Sequence, residues 1–97
     1  MQLAIDLLKR INLFYINFGR SSNEKVLITY FNMTQGESAE SVQSSLSRLF
    51  QKSLIMRIPQ EGKEGPCTEI IPTEYTLGLL DNYSVEEIFF NRMQKQD

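Results

Sequence analysis

Two β-rich segments flank a polar loop in the second half of this chain. Because the other segments have helical patterns, this pair of strands limits the folds that the sequence can adopt. The loop, residues 59–66, reads PQEGKEGP, and its Gly and Pro residues favour turns. Residues 54–58 before it are apolar around Arg57, and residues 68–77 after it are rich in β-branched and aromatic side chains. We expect a long-tipped hairpin in which Pro72 marks an edge strand or a bulge.

Residues 2–18 have the periodicity of an amphipathic helix, and Gly19 is suited to end it in the left-handed conformation. A broad apolar face comprises Leu3, Ala4, Leu7, Leu8, Ile11, Phe14, Tyr15 and Phe18. Ile5, Leu13 and Ile16 lie on the other side. This helix is therefore expected to be covered on two sides, by the rest of the fold or by a second subunit.

A second helix is predicted from the capping box formed by Ser21 and Glu24, and it extends to Met33. The β-branched and aromatic run 26–31 would also suit a strand, so the capping signal decides in favour of the helix. A second box of this kind begins at Ser84 and predicts the last helix.

The third helix, residues 38–53, is predicted to begin at the N-cap Ser38. Its expected buried stripe is Ala39, Val42, Leu46, Leu49 and Phe50. Its expected exposed side comprises Glu40, Gln43, Ser44, Ser47, Arg48, Gln51 and Lys52. The 97 residues suit one domain, 1–97, of α+β class and mainly helical.

Residue usage excludes most catalytic chemistry. The chain has no His and a single Cys, Cys67, so His-based triads, His metal sites and an internal disulfide are impossible. Neither of the common Gly-rich phosphate-binding motifs occurs. We expect a protein that is not an enzyme and uses no cofactor or metal. A thiol enzyme built on Cys67 is the weakest alternative, because acidic neighbours disfavour the thiolate.

The formal net charge is −2, and no apolar run approaches the roughly 20 residues of a membrane span. Asp6 interrupts the apolar start, which argues against a signal peptide. We therefore expect a soluble, cytoplasmic protein with no membrane partner. In residues 38–64, the basic Arg48, Lys52, Arg57 and Lys63 outnumber the acidic Glu40, Glu61 and Glu64. Overall acidity does not prevent nucleic-acid binding, since the local field matters more than the sum.

The middle of the chain resembles winged helix-turn-helix transcriptional regulators of the MarR and PadR types. Residues 46–55, LSRLFQKSLI, are similar to the L-x-R-L-x-x-x-G-L-[IV] string that leads from the recognition helix into the wing. Residues 38–42 resemble the start of that helix, and residues 74–77, EYTL, resemble the end of the wing. In this sequence Ser53 replaces the usual Gly, and Glu37 and Glu40 stand where DNA readers often have Arg or Lys.

The resemblance implies a three-helix core, a two-stranded wing and a C-terminal helix, and it implies a DNA-binding regulator, expected to act as a repressor. The helix 38–53 would enter the major groove, and the wing, residues 59–67, would contact the backbone. The residues expected to bind DNA are Gln43, Ser44 and Ser47 at base edges and Arg48, Lys52 and Lys63 at phosphates. A winged helix used only for protein contacts, or a small antagonist protein without DNA binding, stays open.

A homodimer is expected, because two-fold dimers read two half-sites about one DNA turn apart. The predicted dimer interface comprises Ile5, Leu13 and Ile16 on the first helix and Phe90 on the last. Such apolar side chains would be unusual on the surface of a small monomer. The alternative is that the domain's own hairpin or loops cover them.

Overall fold

The computed structural model describes residues 1–94 and has the predicted winged-helix α+β fold. Along the chain the elements are α1 (Gln2–Phe18), β1 (Ser22–Asn23), α2 (Glu24–Gln35), α3 (Ala39–Gln51), β2 (Ile55–Gly62), β3 (Gly65–Pro72), α4 (Glu74–Leu79) and α5 (Val85–Gln94). Helices α1, α2 and α3 form the core, β2 and β3 form the wing, and α5 is the C-terminal helix. Among the described residues, no helix is both long and apolar enough to cross a membrane.

Local capping signals place the C-terminal end of α1 and the starts of α3 and α5 as predicted. Gly19 has a φ of 63° and its N–H donates to the carbonyl of Tyr15, which satisfies the last turn of α1. The Ser38 hydroxyl accepts a hydrogen bond from the Ser41 N–H at 3.1 Å. At α5, Ser84 and Glu87 exchange both hydrogen bonds of a capping box, at 3.0 and 3.2 Å.

The helix predicted after Ser21 is confirmed, but its capping residue is different. Asn23 caps α2 by accepting a hydrogen bond from the Val26 N–H at 3.2 Å. Ser21 instead donates to the carboxylate of Glu69 at 2.7 Å. The cause is tertiary, because β1 pairs Ser22 and Asn23 with β3 and so delays the start of the helix.

The sheet is antiparallel in the order β1-β3-β2, and its wing is longer than predicted. Pairing continues from Ile55 opposite Pro72 to Gly62 opposite Gly65, so the turn contains only Lys63 and Glu64. The expected eight-residue loop is therefore wrong. Gly65, at a φ of 113°, supplies the conformation that this tight turn needs.

Pro72 ends the central strand β3, so the predicted edge strand is also wrong. Pro72 is tolerated because β1 pairs only with Glu69 and Ile70 and does not reach it. The β segment predicted to continue to residue 77 turns instead into α4. Thr73 caps that helix by accepting from the Thr76 N–H at 3.2 Å, so residues 74–77 do not end the wing.

The buried stripe of α3 is narrower than predicted. Val42, Leu46 and Leu49 are fully buried, whereas Ala39 is exposed and Phe50 is 49% exposed. On the wing side, the Arg57 guanidinium lies 6.0 Å from the centre of the Phe50 ring, at the outer limit of a cation–π contact.

Ile5, predicted as a dimer contact, belongs to the protein's own core at 3% exposure. Helix α5 packs against α1, and Ile5 shares one apolar cluster with Ile88 and Phe89. The sequence showed that α1 has two apolar sides, but it did not show that α5 covers the N-terminal part of the second one. The prediction of an exposed Ile5 is therefore wrong.

An exposed ion pair also joins α1 to α5, with Lys9 Nζ 2.9 Å from Glu86 Oε2. Its hydrogen bond raises the pKa of Lys9 and lowers the pKa of Glu86. The stabilisation is therefore lost as pH falls through the folded pKa of Glu86, and as pH rises through the folded pKa of Lys9. Both side chains are about half exposed, so the effect is small and screened by salt.

Ser53, directly after α3, has a φ of 61°, a conformation that costs an L-residue about 1 kcal/mol or more. We expect Ser53→Gly to raise the free energy of unfolding by about 0.5–1 kcal/mol, since the glycine's larger unfolded-state entropy offsets part of the relief. Urea titration measures the change. Ser45→Gly, in the interior of α3, is the control and should lower stability; equal effects of the two changes would contradict the strain at Ser53.

Candidate nucleic-acid interface

The solvent side of α3 is a continuous polar stripe. Its members are spaced three and four residues apart, which places them on one helical face opposite Val42, Leu46 and Leu49. Together they line a shallow open groove: Glu40, Gln43, Ser44, Ser47, Arg48 and Gln51. We call this set the α3 stripe. It brings together four of the six side chains predicted to bind DNA, namely Gln43, Ser44, Ser47 and Arg48.

The side chains of the α3 stripe differ in their exposure and in their hydrogen bonding. Gln43, Ser44 and Arg48 are exposed, and within residues 1–94 their side chains have no hydrogen-bond or ion-pair partner. Ser47 is partly buried, and its hydroxyl accepts a hydrogen bond from Arg57 Nη1 at 3.2 Å. A serine hydroxyl in that position still has its own proton to donate.

The other two predicted residues lie beside the α3 stripe. Lys52 is half-buried at the C-terminal cap of α3, and its backbone carbonyl accepts from Arg92 Nε at 2.8 Å. Lys63 is exposed in the two-residue turn at the tip of the wing. The structure therefore places basic side chains at the end of the helix and at the wing tip, while the centre of the stripe is polar and uncharged.

Arg57, on β2, is a positioning residue that sequence reasoning missed. Its guanidinium lies 3.2 Å from the Glu24 carboxylate on α2 and, through its other terminal nitrogen, donates to Ser47 on α3. Both charged side chains are about three-quarters buried, at 25% and 21% exposure. This contact ties the base of the wing to both helices of the helix-turn-helix. The only sequence signal for it was a lone charge in the apolar run 54–58.

The surface around the α3 stripe is close to electrically neutral. Within the stripe, the negative charge of Glu40 offsets the positive charge of Arg48. At the wing tip, Lys63 is flanked in the sequence by Glu61 and Glu64. A nucleic acid bound here would therefore be held by hydrogen bonds more than by attraction to a strong positive field.

The remaining predicted dimer residues line two different grooves. Leu13 and Ile16, at 50% and 58% exposure, line a groove with Tyr30 and the buried Asn12. Neither atom of the Asn12 carboxamide has a hydrogen-bond partner within residues 1–94. Phe90, at 43% exposure, lies in another groove with Tyr75 and Tyr83. The four side chains therefore do not form the single patch that the sequence suggested.

Comparisons with known proteins give a fold and no family. No family model matches the sequence, and no curated protein matches it. The chain is similar to the crystal structure of a "putative transcriptional regulator" from Thermoplasma acidophilum, with a TM-score of 0.62 at 14% sequence identity. The match covers 99% of this chain and 94% of that one. At this identity the likeness shows the fold alone, and membership of the MarR or PadR groups stays a prediction.

Proposed function

We propose that this protein is a sequence-specific DNA-binding transcriptional regulator that inserts α3 into the major groove and rests its wing on the sugar–phosphate backbone. The observation that carries the proposal is the α3 stripe, where the side chains of Gln43, Ser44 and Arg48 are exposed and have no hydrogen-bond or ion-pair partner within residues 1–94. An α-helix fits the major groove, where such groups pair with base edges. The fold shared with the Thermoplasma acidophilum protein supports the same function.

Each side chain has a role in this docking. Gln43 can pair with the two major-groove groups of adenine, and Ser44 and Ser47 can donate to several bases. Arg48, Lys52 and Lys63 would contact phosphates, with Lys63 reaching them from the wing tip. We also propose that the protein acts as a repressor, by occupying promoter DNA in competition with the polymerase.

Recovery of genomic fragments with the purified protein, first at low and then at physiological salt, tests the proposal. We expect enrichment of one promoter or a few, retained at physiological salt. Fragments recovered without any sequence preference at low salt and lost on raising it would contradict sequence-specific regulation.

A second candidate, a winged helix used for protein contacts, is favoured by the opposed charges of Glu40 and Arg48 and by the net charge of −2. Salt dependence separates the two functions. DNA binding releases counterions, so the logarithm of the association constant falls with the logarithm of salt concentration by about 0.9 per phosphate contact. A DNA affinity insensitive to salt would favour the protein partner.

Glu40→Gln should strengthen non-specific DNA binding, because it removes a carboxylate from the start of α3, where phosphates approach. Titration of a random-sequence duplex measures this. Glu87→Gln, on α5, removes a similar charge elsewhere and is the control. Weaker binding of Glu40→Gln to every sequence would place the start of α3 away from the backbone.

We also propose that the protein binds DNA as a homodimer, through the α1 surface around Leu13 and Ile16. These side chains are half exposed, and the adjacent Asn12 carboxamide is buried with no hydrogen-bond partner within residues 1–94, so this groove offers apolar surface and an unsatisfied amide to a partner. A second copy would cover it, and reading two successive half-sites would require the two recognition helices to lie about 34 Å apart.

Leu13→Glu combined with Ile16→Glu should convert the dimer to a monomer, since it places charges in the proposed contact. Sedimentation at micromolar concentration measures the mass. Met33→Glu, a change at an exposed apolar residue of α2 outside that groove, should leave the dimer intact. A wild-type protein that is already monomeric on and off DNA would exclude the dimer.

A further inference from the structure

An apolar recess lies where the end of α1, the start of α2 and the middle of β3 meet. Phe14 and Phe18 form an edge-to-face pair with ring centroids 5.9 Å apart, and Val26 faces them from α2. Phe18 and Val26 are 63% and 60% exposed, so most of this apolar surface is open to solvent. None of these residues belongs to the α3 stripe or to the proposed dimer groove.

Glu69 supplies a fixed negative charge to this recess. Its two carboxylate oxygens accept hydrogen bonds from Ser21 Oγ and Asn23 Nδ2, each at 2.7 Å. Both donors are neutral, so they orient the carboxylate without neutralising it. In residues 1–94 the ion pairs are Lys9–Glu86 and Arg57–Glu24, and neither includes Glu69. Each oxygen keeps a lone pair for a further donor.

Arg20 lines the same recess and carries a positive charge. It directly follows the cap of α1, and its backbone N–H donates to the carbonyl of Phe14 at 3.4 Å. Its side chain is exposed and forms no ion pair with Glu69, although both residues line the recess. Opposite charges that share a recess without pairing with each other suit a ligand that carries both signs.

We propose that this recess binds a free α-amino acid with a large apolar side chain. The ammonium group would donate to Glu69, the carboxylate would accept from Arg20, and the side chain would pack on Phe14, Phe18 and Val26. An α-amino acid is zwitterionic at neutral pH, and charge-assisted hydrogen bonds of this kind are the strong ones. The recess shares no residue with the α3 stripe, so the proposal does not rest on DNA binding.

Calorimetric titration of the full chain with three matched probes tests the charge requirement. L-phenylalanine carries both charges, phenethylamine lacks the carboxylate, and 3-phenylpropionate lacks the ammonium group. We expect L-phenylalanine to bind at least about tenfold more tightly than either of the others. Equal binding of phenethylamine and L-phenylalanine would overturn the role of Arg20 and the amino-acid class, and no binding of any probe would overturn the site.

Single substitutions then assign each charge. Glu69→Gln should weaken L-phenylalanine and phenethylamine by about tenfold, whereas Arg20→Gln should weaken L-phenylalanine and leave phenethylamine unchanged. Glu61→Gln, on the wing, should change none of these affinities. Because Glu69 also holds Ser21 and Asn23, thermal melting checks that its variant is folded; if it is not, Arg20→Gln and the probe series still decide. An Arg20→Gln protein that binds L-phenylalanine like the wild type would overturn the proposal.

Discussion

Replacing Arg48 and Lys52 together with alanine should lower affinity for every DNA sequence by about 10²–10³-fold at physiological salt if the protein binds as a dimer. Each lost phosphate contact removes about 0.9 from the salt slope, and two protomers lose four contacts in total. Arg48 is exposed on the α3 stripe with no side-chain partner within residues 1–94, and Lys52 lies at the end of the same helix, which is why both are expected at the backbone. Binding curves at four or five salt concentrations measure affinity and slope together.

Two matched variants distinguish phosphate contacts from base contacts and from net charge. Gln43→Ala should keep the salt slope and lose roughly 1–3 kcal/mol at the cognate site only. Arg20→Gln removes a positive charge from a recess that shares no residue with the α3 stripe, and it should change neither quantity. If the Arg48 and Lys52 double variant bound cognate DNA with the wild-type slope, the proposed docking of α3 would be wrong.

Elements whose signals are local could be predicted from the sequence. Gly19 ends α1 because only glycine adopts the left-handed cap at little cost, and Ser38 begins α3 through its own hydroxyl. Such signals depend on a few neighbouring residues and not on the rest of the fold. The α3 stripe was predictable for the same reason, since helical periodicity alone assigns Gln43, Ser44 and Arg48 to one face.

Features that depend on distant residues could not be predicted. Ser21 has the capping pattern, yet its hydroxyl donates to the Glu69 carboxylate. Because β1 extends through Asn23, that residue caps α2 in place of Ser21. The wing turn is shorter than the predicted loop, because strand pairing between β2 and β3 outweighs the turn preference of the Pro and Gly residues. Arg57 could not be assigned a role, because its partner Glu24 lies 33 residues earlier in the chain.

Phe89→Ala should lower the free energy of unfolding by about 3–5 kcal/mol, a large share of the 5–15 kcal/mol typical of a small protein. Phe89 is fully buried in the cluster that includes Ile5 and Ile88, so the change leaves a cavity between α5 and α1. Its neighbour Phe90 is 43% exposed, with its ring 5.5 Å away, and Phe90→Ala should cost under about 1 kcal/mol. Urea unfolding of both variants measures the contrast. Because α5 covers the N-terminal part of the second side of α1, around Ile5, we expect α5 of the Phe89 variant to unfold together with α1 and the wing in one transition. A separate early loss of α5 alone would show that the C-terminal helix is an independent attachment to the winged-helix core.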